Sequence, residues 1–191
     1  KLEIVIHRVN KVKNLSRIPN NYGCEIDIRS FGSNLILNHD PYKSGDLLSD
    51  FLDSYNHGLL VLNIKETGIE NDVISLVKKR KIKRYFLLDV EFPYIYKNTI
   101  LGEKSIAIRY SELEPIQMAL NYENKVDWVW IDTNTILPIN NEIVSKLKNF
   151  KTCLVSPECW NRPDDIISYR KKMLELDFTP NAVMTDLNYA E

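Results

Sequence analysis

Eight short runs of β-branched and aliphatic residues recur along this chain, and a polar residue able to do chemistry stands at or just past the end of each. The runs are Glu3 to His7, Cys24 to Ser30, Leu59 to Lys65, Tyr85 to Asp89, Ser105 to Arg109, Trp128 to Asp132, Thr152 to Ser156 and Ala182 to Asp186. Each has the length of a strand, and several are apolar on both faces, as parallel strands under helices must be. Helical periodicity fills most of the intervals. Ile69, Val73, Ile74 and Val77 share one face, with Lys78, Lys79 and Arg80 at the C-terminal turn, where cations suit the helix dipole. Asn141 to Phe150 aligns Ile143, Val144 and Leu147, and Pro163 with Asp164 and Asp165 starts a helix through Met173 and Leu176. Leu47 to Tyr55 and Glu112 to Asn121 are shorter candidates, whereas Val9 to Tyr22 reads as a loop. Asn34 to Leu37, following Phe31-Gly32-Ser33, forms a small hairpin with the second run.

Strands alternating with helices predict a parallel α/β fold. The polar run ends (His7, Asp27, Lys65, Asp89, Arg109, Asp132, Glu158 and Asp186) choose between its two forms. A doubly wound sheet needs such equipment only near its switch point. In a (β/α)8 barrel all eight strand ends converge on one mouth. The expectation is therefore a compact TIM barrel over residues 1–191, one domain, trimmed relative to the usual ~250 residues.

Charge narrows the partners. A net charge of -1 lacks the positive field that bulk nucleic-acid binding requires, so no nucleic-acid partner is expected. A small phosphorylated ligand needs only a few focused cations. No apolar stretch approaches the ~20 residues of a membrane span. Cys24 and Cys153 fall in apolar runs and read as buried reduced thiols, which with Cys159 gives an odd count and suits a cytoplasmic location. The chain begins at Lys1, which leaves room for processing upstream.

Strand parity then selects a site. Glu25 and Asp27 are two apart and project to the same side of the second strand. Two ionised acids facing a barrel interior repel unless a cation lies between them, and oxygen donors favour Mg²⁺ or Ca²⁺. The alternative is a solvated pair, which would turn Ile26 and Ile28 inward. His7 ends the first strand and His39 closes the hairpin, and imidazole titrates where proton transfer at neutral pH needs it. His57, in the turn Asn56-His57-Gly58, reads as a solvated surface residue.

His7-Arg8, Glu25-Ile26-Asp27 and His39-Asp40, in this order and spacing, resemble the glycerophosphodiester phosphodiesterase family of the phospholipase C-like phosphodiesterase barrels. Members read His-Arg-Gly, Glu-x-Asp, His-Asp and then Glu-x-Lys on the third strand, and Val183-Met184-Thr185-Asp186 is similar to their closing strand. The resemblance implies that His7 and His39 are the general acid/base pair and that Glu25 and Asp27 ligate a divalent metal. It also implies that Arg8 and Lys65 contact a phosphate. The implied activity is metal-dependent hydrolysis of a small or lipid-derived phosphodiester. A lyase of the same superfamily, releasing a cyclic phosphate, and a non-catalytic phosphate-binding barrel are the alternatives.

The chain departs from the pattern at three places. Asn63 stands where the family has a metal-binding glutamate, offering an uncharged ligand. Val9 replaces the glycine after His-Arg, and the Pro-Glu-Asn-Thr segment expected soon after is absent. Arg109 and Trp130 have the parity to project inward, either to bind a phosphate and stack on a headgroup or as an ion-paired Arg and a core Trp. Glu158, in the bend after the seventh strand, is a candidate extra ligand, and Asp186 can alternatively pair with Lys65.

Overall fold

The computed structural model describes residues 2–190. Its strands are β1 (Glu3–Ile6), β2 (Gly23–Phe31), β3 (Asn34–Leu37), β4 (Asp46–Leu47), β5 (Leu60–Ile64), β6 (Tyr85–Leu88), β7 (Ala107–Tyr110), β8 (Trp128–Ile131), β9 (Lys151–Val155) and β10 (Ala182–Thr185). The helices are α1 (Leu48–Ser54), α2 (Glu70–Lys79), α3 (Phe92–Ile100), α4 (Ile116–Leu120), α5 (Asn141–Leu147) and α6 (Asp165–Glu175). Parallel pairing runs β6–β5–β2–β1–β10–β9–β8–β7. The ring closes between β6 and β7 through a parallel bridge, Leu87 to Ile106, with Leu87 N–H donating to Ser105 O at 2.8 Å. This is the expected (β/α)8 barrel, and each of the eight runs supplies one of its staves.

Two apolar layers hold it together. Inside the barrel, Val5, Val61, Phe86, Leu88, Trp128, Trp130, Cys153, Val155 and Met184 form one buried cluster. Phe86 stands 4.7 Å from Trp128 and 6.3 Å from Trp130, ring centre to ring centre, so aromatics fill the middle of the staves. Outside, the alternate residues Ile26, Ile28, Leu60, Leu62, Leu87 and Val129 meet the helix faces, such as Val73, Ile74 and Val77 of α2. Gly23 lies close against the start of β5. A Cβ there would lie 2.2 Å from Leu59 O, so no side chain fits where β2 crosses β5.

The hairpin is present and larger than expected. β2 runs on past the barrel, pairs antiparallel with β3 from Ile28↔Leu37 to Phe31↔Asn34, and β3 pairs in turn with β4. Its two-residue turn places Gly32 at φ +63°, a conformation glycine adopts without cost. Three local expectations change. The Glu112–Asn121 candidate shrinks to α4, because Ser111 Oγ accepts from the Leu113 and Glu114 N–H groups and builds a turn there instead. Val12–Arg17 in the expected loop is a 3-10 helix. His57 is half-buried and its Nε2 lies 3.1 Å from Ile18 O, pinning that segment instead of facing water.

Candidate active site

The strand ends converge, as parallel barrel staves require, on a cavity of about 170 Å³ lined by His7, Arg8, Glu25, Asp27, Asn63, Lys65, Arg109, Trp130, Asp132, Cys159 and Trp160 among others. Ligand pockets for drug-sized molecules run to ~300 Å³ and above. This one has room only for a small polar group, with the remainder of any larger ligand outside the mouth. A larger groove of about 450 Å³, between α6 and the outer faces of β1 and β10, is lined mostly by apolar side chains. It offers little chemistry.

Glu25 and Asp27 are 2% and 1% exposed, and both face the cavity from β2. Glu25 accepts from Arg8 N–H at 2.8 Å and from Asn63 Nδ2 at 2.9 Å. Burial first, and the charge of Asp27 second, push the Glu25 carboxyl above its ordinary value. Asp27 Oδ2 accepts from Asn10 Nδ2 at 2.7 Å, and Asn10 Oδ1 accepts in return from Asp27 N–H at 2.8 Å. Lys65 Nζ lies 3.2 Å from Asp27 Oδ1 and 3.7 Å from Asp89 Oδ2. The solvated-pair alternative for Glu25 and Asp27 is thereby excluded, with Ile26 and Ile28 packed outward against the helices.

The test of a cation site is what these acids leave unsatisfied. Asn63 Oδ1 is a buried oxygen without a hydrogen-bond partner, and Asp27 Oδ1, from the residue opposite it in the β2–β5 register, meets only the Lys65 ammonium. Buried polar atoms are ordinarily paired, so an orphaned amide oxygen beside two buried carboxyls, one of them raised, fits a hard cation. Glu25, Asp27 and Asn63 are the residues that can hold one.

Both histidines have Nδ1 beside an aspartate. His7 Nδ1 lies 3.0 Å from Asp186 Oδ1, and His39 Nδ1 lies 3.1 Å from Asp40 Oδ1. His39 Nε2 lies 3.0 Å from Arg8 Nη2. A guanidinium can only donate, so Nε2 of His39 is the acceptor and its proton sits on Nδ1. A hydrogen bond from Lys43 and another from His39 draw the Asp40 carboxyl down to about 2, which keeps it an anion facing the ring. His7 lines the cavity, whereas His39 stands on the rim outside the lining and reaches it through Arg8. Arg8, at φ 52°, is in the left-handed region, and that turn at the end of β1 carries its N–H to Glu25.

Of the other expected residues, Arg109 and Trp130 do face the cavity but are already engaged. Arg109 donates to Asp89 Oδ1 at 2.5 Å and Oδ2 at 3.1 Å, and to Asp132 Oδ2 at 2.6 Å. Trp130 is 2% exposed, with Nε1 3.4 Å from Asp132 Oδ2. Of their two readings, the ion-paired Arg and the core Trp match this geometry. Glu158, expected as a candidate extra ligand, is absent from the lining and engaged elsewhere. Its carboxylate accepts from Ser156 Oγ, Thr185 Oγ1 and Asp186 N–H, so it ties the end of β9 to the end of β10. Asp186 pairs with His7 and not with Lys65.

Two positioning residues carried no sequence signal. Asn10 lies in an aperiodic segment. Arg29 sits in the part of β2 that leaves the barrel and donates to His39 O at 2.9 and 3.1 Å and to Lys65 O at 3.1 Å. A positive charge on an exposed hairpin strand reads as solvated until the fold brings two carbonyls to it.

No family model and no curated protein matches the sequence. Solved structures do resemble the fold. A putative glycerophosphoryl diester phosphodiesterase from Agrobacterium tumefaciens superposes with a TM-score of 0.67 at 10% identity, over 99% of this chain and 95% of that one. A glycerophosphoryl diester phosphodiesterase from Parabacteroides distasonis gives 0.63 at 11% identity, over 96% and 82%. A glycerophosphodiester phosphodiesterase from Agrobacterium tumefaciens gives 0.65 at 13% identity, over 96% of both chains. The chain thus has the barrel fold of the glycerophosphodiester phosphodiesterases along nearly its whole length.

Proposed function

We propose that this protein is a metal-dependent phosphoric diester hydrolase acting on a small or lipid-derived phosphodiester. The observation that carries this is the linkage at the mouth. His39 and the buried Glu25 are both bonded by Arg8, and the adjacent His7 is held by Asp186. A binding module needs cations for a phosphate, but it has no use for two imidazoles whose Nδ1 atoms are both committed to aspartates.

In this reading a substrate hydroxyl attacks phosphorus while one histidine accepts its proton at Nε2. The other histidine donates a proton to the departing alkoxide oxygen, and water reverses the roles to open a cyclic phosphate. Asp186 and Asp40 hold the rings with a proton on Nδ1, so the base accepts at Nε2 and the acid enters the step as an imidazolium. His39 exchanges its Arg8 bond at Nε2 for the substrate. Arg8 and Lys65 offer positive charge to the phosphoryl oxygens. Glu25, Asp27 and Asn63 would hold Mg²⁺ or Ca²⁺, which would supply further positive charge against the developing anion. Free thiols at Cys24, Cys153 and Cys159 support a cytoplasmic setting. Among the described residues no helix is long and apolar enough to cross a membrane.

The test is incubation with glycerophosphocholine and glycerophosphoethanolamine in Mg²⁺, Ca²⁺ or Mn²⁺, with products read by ³¹P NMR. A phosphomonoester is the expected product. A persistent cyclic phosphate assigns the lyase chemistry instead, and unchanged diester with every ion rejects the enzyme.

A further inference from the structure

A second donor set stands at the same mouth, made of other atoms than the oxygens of Glu25, Asp27 and Asn63: His7 and Cys159 line the cavity, and Asp186 meets His7 from outside the lining. Cys159 lies in the 3-10 turn Pro157–Trp160 after β9, and its half-buried side chain forms part of the cavity wall. One ligating atom each from His7, Cys159 and Asp186 lies within 4.8 Å of the other two. Among the described residues this is the group of three His, Cys, Asp or Glu side chains that meets that spacing. The three arrive from separate staves: the end of β1, the turn after β9 and the end of β10.

The chemistry of the trio differs from that of the neighbouring acids. Nitrogen, sulfur and one carboxylate oxygen are the donor set of zinc, whereas oxygens alone suit Mg²⁺ or Ca²⁺. Bond lengths of ~2.0–2.3 Å place tetrahedral zinc ligands roughly 3.3–3.6 Å apart. The present spacing of 3.0 Å between His7 Nδ1 and Asp186 Oδ1 needs to open only slightly. The sulfur already lies within 4.8 Å of a ligating atom of each partner.

We propose that His7, Cys159 and Asp186 form a site for a thiophilic divalent cation, Zn²⁺ foremost, with its fourth position open to the cavity.

The electrostatics separate this from a nucleophilic cysteine. Burial first, then Glu158, Asp186, Glu25 and Asp132, push the Cys159 thiol above its ordinary range. A nucleophilic thiolate requires an electropositive setting, and this one is acidic. The same acids attract a cation. On binding, the sulfur releases its proton to solvent as the Zn–S bond forms, and the imidazole proton moves from Nδ1 to Nε2, for one proton released in total. Cys24 and Cys153 are 0% exposed and form no part of the cavity lining. Because His7 is also one of the two proposed acid/base groups, zinc here would switch hydrolysis off. That consequence rests on the proposed activity, whereas the binding does not.

The experiment is titration of the protein with Co²⁺ in the presence of millimolar Mg²⁺, followed in the near ultraviolet. A thiolate ligand gives a sulfur-to-cobalt charge-transfer band that oxygen ligands do not. The expected result is a saturable band in the unmodified protein and in Glu25→Gln. It should be absent in Cys159→Ala and Cys159→Ser, with competing Zn²⁺ bound at least ~100-fold more weakly by both variants. The two substitutions guard against one failing to fold, which circular dichroism reports. No band in the unmodified protein, or an equal band in a folded Cys159 variant, overturns the proposal. No substrate enters this measurement, so its outcome is independent of whether the protein cleaves phosphodiesters.

Discussion

The imidazole Nδ1 of His7 meets the Asp186 carboxylate at 3.0 Å, joining the first and last staves of the barrel at the mouth of the cavity. The bond fixes the ring's tautomer and leaves Nε2 for the substrate. Asp186→Asn removes the anion while keeping the shape, so a ring held only by the amide can bind with either nitrogen protonated. Turnover is expected to fall by about 10²-fold with little change in KM. Steady-state kinetics on a phosphodiester checks this, and thermal melting of the variant confirms an intact barrel.

Arg29 holds the main chain at both His39 and Lys65, through carbonyls at 2.9–3.1 Å. Arg29→Met retains the stem and removes the donors. The hairpin keeps its strand pairing, but His39 loses its fixed height above Arg8. A drop in turnover of about tenfold is expected, larger than any change in stability, since misplacing a reacting group by ~1 Å can cost 10²-fold. Kinetics alongside urea unfolding separates the two effects.

Arg109 bridges Asp89 and Asp132, and the Asp132 side chain is 4% exposed. Arg109→Met leaves Asp132 with Trp130, Trp160 and the Thr133 N–H as its donors and no opposing charge. Stranding a buried carboxylate costs about 3 kcal/mol, and the half-solvated Asp89 adds little. Urea denaturation should show that loss as a lower midpoint with an unchanged slope.

What the sequence revealed and what it hid follow one physical line. The staves were legible because buried parallel strands are continuous apolar runs, and Glu25 with Asp27 because parity along a strand is rigid. α3 was not legible. Its apolar residues at four-residue spacing, Phe92, Tyr96 and Ile100, are exposed while Ile95 is buried, so the apolar spacing does not mark the face that packs. Arg29, Asn10 and the Glu158 tie to β10 were hidden for another reason. Each works by hydrogen bonds to groups 10 to 36 residues away, and no local pattern encodes such a partner.

Burial, and then the charge of Asp27, raise the Glu25 carboxyl above its ordinary 4.5. Folded Glu25 therefore keeps its proton in a pH window where the unfolded chain has released it. Its contribution to stability is fully present below 4.5 and is lost as pH rises through the folded value. Above that window a divalent cation relieves the ionised pair. Mg²⁺ or Ca²⁺ should raise the Tm at neutral pH, by about 2.7 kcal/mol of stability at 100 times Kd, and the increment should shrink as protons compete at acid pH. Asn63→Glu, which restores a charged third ligand, should tighten the ion. Thermal melts across pH with and without EDTA read all three.

Turnover of bis(p-nitrophenyl) phosphate in Mg²⁺, compared between the unmodified protein and His7→Ala, bears on whether the cavity is an active site at all. Metal-dependent cleavage that EDTA abolishes, and that falls by ~10²–10⁴-fold in a folded His7→Ala, is the predicted result. Equal turnover in the two proteins, or turnover that survives EDTA, would contradict it.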